Sequence, residues 1–111
     1  MGALALPRLA LDLPLPEIEA ICRKLHVKEL AVFGSVLSEE FRPDSDVDFL
    51  ASFENSDPGP WLSYLTELQQ ALTALLGRPA DVAHRPSVEK SRNWIRRREI
   101  LSSAQPIYAS R

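Results

Sequence analysis

Cys22 is the only cysteine among 111 residues, so an internal disulfide and any cysteine-based metal site are excluded. It lies in "EIEAICRKL", a stretch with helical apolar spacing, where a lone small thiol reads as a buried packing residue rather than a nucleophile. Long apolar runs are missing as well. The apolar N-terminus, "MGALALPRLALDLPLPE", is broken by Pro7, Pro14 and Pro16 and carries Arg8 and Asp12, and no basic region leads an unbroken apolar stretch. It therefore matches neither a membrane span nor a secretion signal, and a cytoplasmic location is expected. The chain also has no internal repeat, no low-complexity tract and no G-x-x-x-x-G-K-[ST] string, which excludes a Walker-type phosphate loop.

What is present is ordinary globular composition, with 45% apolar and 25% charged residues, in a length that suits one domain over residues 1–111. Residues 1–15 read as an N-terminal extension. Pro16 and Glu17 open a helix through "EIEAICRKLH", and "ELAVFGS" holds a short buried strand, Leu30 to Phe33. "SVLSEEF" reads as a short helix capped by Ser35, "RPDS" as a turn, and "DVDFLASF" as a strand of period two. After "DPGP", Trp61, Leu65, Leu68, Leu72, Leu75 and Leu76 recur at helical spacing, with Gly77 as C-cap and Pro79 barring continuation. "ADVAH" is a third strand. Residues 87–105 form a last helix, capped at Ser87 and closed by Pro106. Strands interleaved with helices predict an α+β (α/β-like) fold, a small mixed sheet flanked by about four helices.

The net charge of −2 conceals an uneven distribution. Residues 1–84 hold six Lys/Arg against thirteen Asp/Glu, whereas residues 85–98 hold Arg85, Lys90, Arg92, Arg96, Arg97 and Arg98 against Glu89 alone. A basic helix on an acidic body reads first as a solvated face and second as a docking surface for an acidic partner.

The chemistry concentrates in "GSVLSEEFRPDSDVDFL", residues 34–50. On a strand, Asp46 and Asp48 project from one face while Val47, Phe49 and Ala51 project from the other. Two carboxylates that close repel each other, and one pKa rises unless a cation neutralises them. Mg²⁺ takes one or two carboxylates together with substrate phosphates, and Asp81 on the third strand reaches the same face. Gly34 lets backbone approach a phosphate, and Ser35 adds a hydroxyl donor at a helix start. Calcium binding of the EF-hand type is excluded: with Asp44 first, Phe49 stands where glycine is required and Asn55 where glutamate is required. Taken alone, Asp-x-Asp also suits a solvated strand face.

The combination of Gly-Ser, ten residues, then Asp-x-Asp resembles the signature of polymerase-β-like nucleotidyltransferases. The leading helix, the long helix after the acidic strand, "ADVAH" and "RREILSSAQPIYA" extend the likeness over residues 13–109, to the minimal nucleotidyltransferase (MNT) antitoxins of HEPN/MNT toxin–antitoxin pairs. That resemblance implies a metal-dependent transfer of AMP from ATP to a tyrosine of a partner HEPN-type RNase toxin. It implies that Gly34 and Ser35 hold the β- and γ-phosphates and that Asp46, Asp48 and Asp81 ligate two metal ions, Mg²⁺ or Mn²⁺, with Asp81 helping to activate the acceptor. Arg42, in the turn before the acids, is a candidate phosphate contact or a solvated turn residue. His84 and Tyr108 read as structural, and Trp61 and Trp94 as core or interface residues. The elements leave no segment for an acceptor-binding domain, so a protein acceptor in a hetero-oligomer is expected, with Arg92, Arg96, Arg97 and Trp94 as part of the docking surface. Two alternatives stand beside this reading: an idle module that neutralises a toxin by occlusion, and transfer to a small molecule or tRNA. The overall acidity argues against direct nucleic-acid binding.

Overall fold

The computed structural model describes residues 13–37, 45–54 and 61–110. The described elements run α1 (Leu15–Lys24), β1 (Val27–Phe33), a 3₁₀ turn (Gly34–Leu37), β2 (Val47–Phe53), α2 (Trp61–Leu76), β3 (Ala80–His84), α3 (Arg85–Glu89), α4 (Trp94–Ser103) and β4 (Gln105–Ala109). The four strands form one mixed sheet in the order β3-β2-β1-β4. β1 is antiparallel to both β2 and β4, and β2 is parallel to β3.

Alternation along the strands divides the sheet into two unlike faces. Val47, Phe49, Ala51 and Phe53 of β2 join Val27, Leu30 and Val32 of β1 and Ala80 and Val82 of β3 in the main core. Ile18 and Cys22 of α1 and Leu68 and Leu72 of α2 cover that face, and all four are fully buried. The opposite face has a much smaller core of Ala31, Leu50 and Ile100, with Phe33, Ala83, Val88, Leu101 and Ala104 packed around it. Burial at about 25 cal/mol per Å² of apolar surface makes the first face the principal source of stability.

α2 also protects the outer edge of the sheet. The Thr73 hydroxyl accepts from the Ala80 N–H at 3.0 Å, and the Gln69 side-chain oxygen accepts from the Val82 N–H at 3.0 Å. Two donors that a β3 edge would leave open are thereby occupied, which blocks edge-to-edge pairing there. At the other edge, Pro106 sits in β4, where a missing N–H is tolerated.

The long helix and third strand match their predicted limits, and Gly77 ends α2 with φ +69°. Three expectations need correction. β1 begins at Val27 instead of Leu30, because the exposed Lys28 and Glu29 and an irregular register mask its alternation. The predicted helix over 87–105 is two helices, α3 and α4. Asn93, not Ser87, caps the second, its side-chain oxygen accepting from the Arg96 N–H at 3.1 Å; Ser87 instead meets His84 Nδ1 at 2.8 Å. Finally, "QPIYA", with no element expected beyond the helix end at 105, is a fourth strand, with Ile107 and Tyr108 buried. Among the described residues, no helix is long and apolar enough to cross a membrane.

Candidate active site

The site forms where β1 ends beside β2. Phe33 lies opposite Asp48 in the antiparallel pair, so Gly34, the next residue, is delivered directly to that carboxylate. Gly34 has φ +80°, a left-handed conformation that disfavours any residue with a Cβ. A Cβ there would stand 2.5 Å from Asp48 Oδ2. The left-handed conformation therefore favours glycine, and a side chain there would also have to push the Asp48 carboxylate aside, so turn and acid are in close approach. The chain continues as a 3₁₀ turn over Gly34–Leu37; the rest of "SVLSEEF" and the Ser35 side chain expected to cap it lie outside the described residues. Within the described residues this turn offers an anion its free backbone N–H groups.

The parallel pairing of β2 with β3 sets Asp48 beside Asp81, and Leu50 beside Ala83. Neighbouring strands are about 4.8 Å apart, so these two carboxylates start from adjacent positions. Asp46 precedes the strand by one residue and shares its parity with Asp48. All three acids thus belong to the lightly covered face. Asp46 and Asp81 are exposed, whereas Asp48 is half-buried. Burial, and then the charges of Asp81 and Asp46, raise the Asp48 carboxyl above its ordinary 3.8, while Arg96 pulls it down. Asp48 is the electrostatic centre of the group. Among the described residues, no three acidic, histidine or cysteine side chains converge closely enough to form a ready-made metal cluster. The donor set nevertheless suits a hard divalent cation: oxygen ligands only, mutually repelling, with Asp48 destabilised as an anion until a cation arrives.

The other predicted positions sort as follows. The Ser35 side chain and Arg42 lie outside the described residues. His84 is buried on the helix-covered face, stacked on Phe53 at 6.3 Å between ring centroids, and its environment depresses its pKa through burial and then Lys90. It is on the opposite side of the sheet from the acids. Tyr108 is buried in the core, and burial pushes the Cys22 thiol up to about 12. The run of arginines separates in space. Arg97 donates to the Ser91 carbonyl at 2.7 Å and Arg85 pairs with Glu89 at 3.5 Å, whereas Arg96 bears on Asp48.

Sequence reasoning missed two contributors. Arg78 donates to the Ser45 carbonyl at 3.4 Å and the Val47 N–H donates to the Pro79 carbonyl at 3.0 Å, so the segment before β3 braces the start of the acidic strand. Arg96, which the sequence places with the docking surface, acts on the Asp48 carboxylate. No local pattern distinguishes it from Arg92 or Arg98; only the crossing of α4 over the sheet does.

A one-sheet domain with a glycine turn packed on a strand acid, and a second acid in register beside it, defines a nucleotidyltransferase core. Residues 15–107 match the nucleotidyltransferase domain family, and the chain belongs to it. It is 38% identical over 85 residues to the protein adenylyltransferase MntA of Thermococcus cleftensis, an alignment covering 69% of this chain and 83% of that relative. A solved structure of a candidate minimal nucleotidyltransferase superposes with a TM-score of 0.64 at 30% identity, covering 83% of this chain and 87% of the other. A toxin–antitoxin crystal structure with AMP-PNP gives a TM-score of 0.65 at 16% identity, covering 89% of this chain and 76% of that one, a likeness of fold. The chain is a nucleotidyltransferase with the minimal form of the fold.

Proposed function

We propose that this nucleotidyltransferase is a metal-dependent protein adenylyltransferase that moves AMP from ATP to a tyrosine hydroxyl of a HEPN-type RNase toxin, acting in the cytoplasm as its antitoxin. The observation that carries the reading is the contact geometry of Gly34 against Asp48, with Asp81 in register beside it. That arrangement brings a place for phosphate and a place for cations within one side chain of each other. The kinship with MntA of Thermococcus cleftensis supports the acceptor class.

In this mechanism the backbone of the Gly34 turn receives the β- and γ-phosphates, since the missing Cβ lets an anion approach the N–H groups. Asp46, Asp48 and Asp81 would hold Mg²⁺, which supplies charge neutralisation and polarisation of the α-phosphate. Asp81, exposed beside Asp48, accepts or directs the proton of the incoming hydroxyl. The hydroxyl oxygen forms a bond to the α-phosphorus, the α–β phosphoanhydride bond breaks, and pyrophosphate departs. Trp94 and Ile95, 58% and 54% exposed at the start of α4, together with Arg92 and Arg98, provide an apolar and basic surface for the acceptor protein.

The test adds the purified protein, Mg²⁺ and α-labelled ATP to lysate from the source organism, with Asp46→Asn/Asp48→Asn alongside. One labelled protein band, lost by about a thousandfold in the variant, is expected from removal of the cation ligands. Label in RNA or in a small molecule would replace the acceptor. ATP binding without any label, or toxin neutralisation retained by the variant, would favour the occluding module.

A further inference from the structure

The arginine in the first turn of α4 adds a component that the acidic motif lacks. α4 follows α3, which leaves the end of β3, and it leads into β4 at the opposite edge of the sheet. It therefore crosses the lightly covered face from the β3 side to the β4 side. Ile100 anchors the crossing against Ala31 of β1 and Leu50 of β2. Arg96 precedes Ile100 by four residues, one turn on the same side of the helix, about 6 Å nearer to β3. Below that point lie Asp48 and Asp81, the adjacent pair on β2 and β3, on the strand face that Leu50 and Ala83 share with them. The capping bond from Arg96 N–H to Asn93 fixes where this turn begins.

Among the described residues the Arg96 guanidinium has no hydrogen-bond or ion-pair partner. The described ion pairs are Arg23–Glu19 and Arg85–Glu89, and Arg96 forms none with Asp48 despite bearing on its charge. Its neighbour Arg97, by contrast, is tied to Ser91. The charge of Arg96 acts on Asp48 without an ion pair to it, so its donors remain available on the acid-bearing side of the sheet. A planar, permanently charged fork matches the non-bridging oxygens of a phosphate.

We infer that Arg96 is a substrate-contacting residue that donates hydrogen bonds to the triphosphate of the nucleotide, opposing the acids from the α4 side of the cleft. The inference rests on the nucleotidyltransferase reading of the site and adds a phosphate ligand outside the Gly-Ser/Asp-x-Asp motif. Arg96 balances the negative charge of a nucleotide that the carboxylates by themselves would repel.

The test is calorimetric titration of AMP-PNP in Mg²⁺ buffer into the wild type, Arg96→Gln, Arg96→Lys and Lys24→Gln, with the melting temperature of each. Lys24, exposed on α1, gives the same change of net charge on the other side of the sheet. Arg96→Gln should weaken AMP-PNP by about tenfold, as expected for a charge-assisted hydrogen bond, and Arg96→Lys should recover part of that loss. Lys24→Gln should leave affinity unchanged. The melting temperature of Arg96→Gln should equal that of the wild type, because its backbone capping bond survives. Arg96→Gln binding within twofold of wild type, or Lys24→Gln weakening binding equally, would overturn the inference while leaving the nucleotide site intact. Absence of AMP-PNP binding by the wild type would overturn both.

Discussion

The two faces of this sheet are built from the same strands and have opposite purposes. On one, Phe49, Val47 and Ala51 meet two helices and are fully buried. On the other, their immediate neighbours are Asp48, half-buried, and Leu50, capped by a crossing helix that covers only part of the surface. A single strand thus carries a stabilising apolar row and an acidic row, offset by one residue. The core supplies rigidity on one side, so the carboxylates can be held close together on the other at an electrostatic cost that the fold tolerates.

The comparison should break most visibly on the packed face. Phe49→Ala empties a fully buried position and should cost about 3–5 kcal/mol, whereas Ile100→Ala, in the small second core, should cost about 2 kcal/mol. Denaturant melts of the two variants measure the asymmetry, and equal losses would contradict it. Next comes the junction of turn and acid. Gly34→Ala must adopt a left-handed φ and displace Asp48 Oδ2, so a loss of about 1–3 kcal/mol is expected together with loss of nucleotide affinity. Retained affinity for AMP-PNP in that variant would show that the turn is not where phosphate sits.

Smaller effects sharpen the electrostatic side. The folded-state pKa of Asp48 lies above its ordinary 3.8, so the unfolded chain loses that proton first as pH rises, and ionised Asp48 subtracts from stability above that range. In metal-free buffer, Asp48→Asn should therefore melt slightly higher than wild type at pH 7, with the gap narrowing as pH falls toward 4. Mg²⁺ should reverse the order by stabilising only the wild type. The smallest effect is on Cys22, whose burial pushes the thiol up to about 12. A thiol reagent at pH 8 should label it only at the rate of unfolding, and stability should decline as pH rises from 9 toward 12, where the unfolded chain alone releases the proton.

Much of this organisation was legible in the chain. The spacing of Leu65, Leu68, Leu72, Leu75 and Leu76 delimited α2, and the alternation through Val47, Phe49 and Ala51 assigned Asp46 and Asp48 to the other face. The last third was less legible. Asn93 competes with Ser87 and Ser91 as a cap in "SVEKSRNW", and local propensity cannot choose among them. β4 is only five residues long and contains proline, so its strand character comes from pairing with β1 across most of the chain.

Sequence alone determined the glycine, the acids and the face on which they stand, because a two-residue repeat and a ten-residue spacing are properties of the chain itself. Only the tertiary structure decided that Asp81 lies in register beside Asp48, that Gly34 turns with a left-handed φ against the Asp48 carboxylate, and that the charge of Arg96 acts on Asp48. Those three facts depend on strand order and helix crossing. They bring together residues separated by up to 62 positions (Gly34 to Arg96), a distance over which local pattern carries no information.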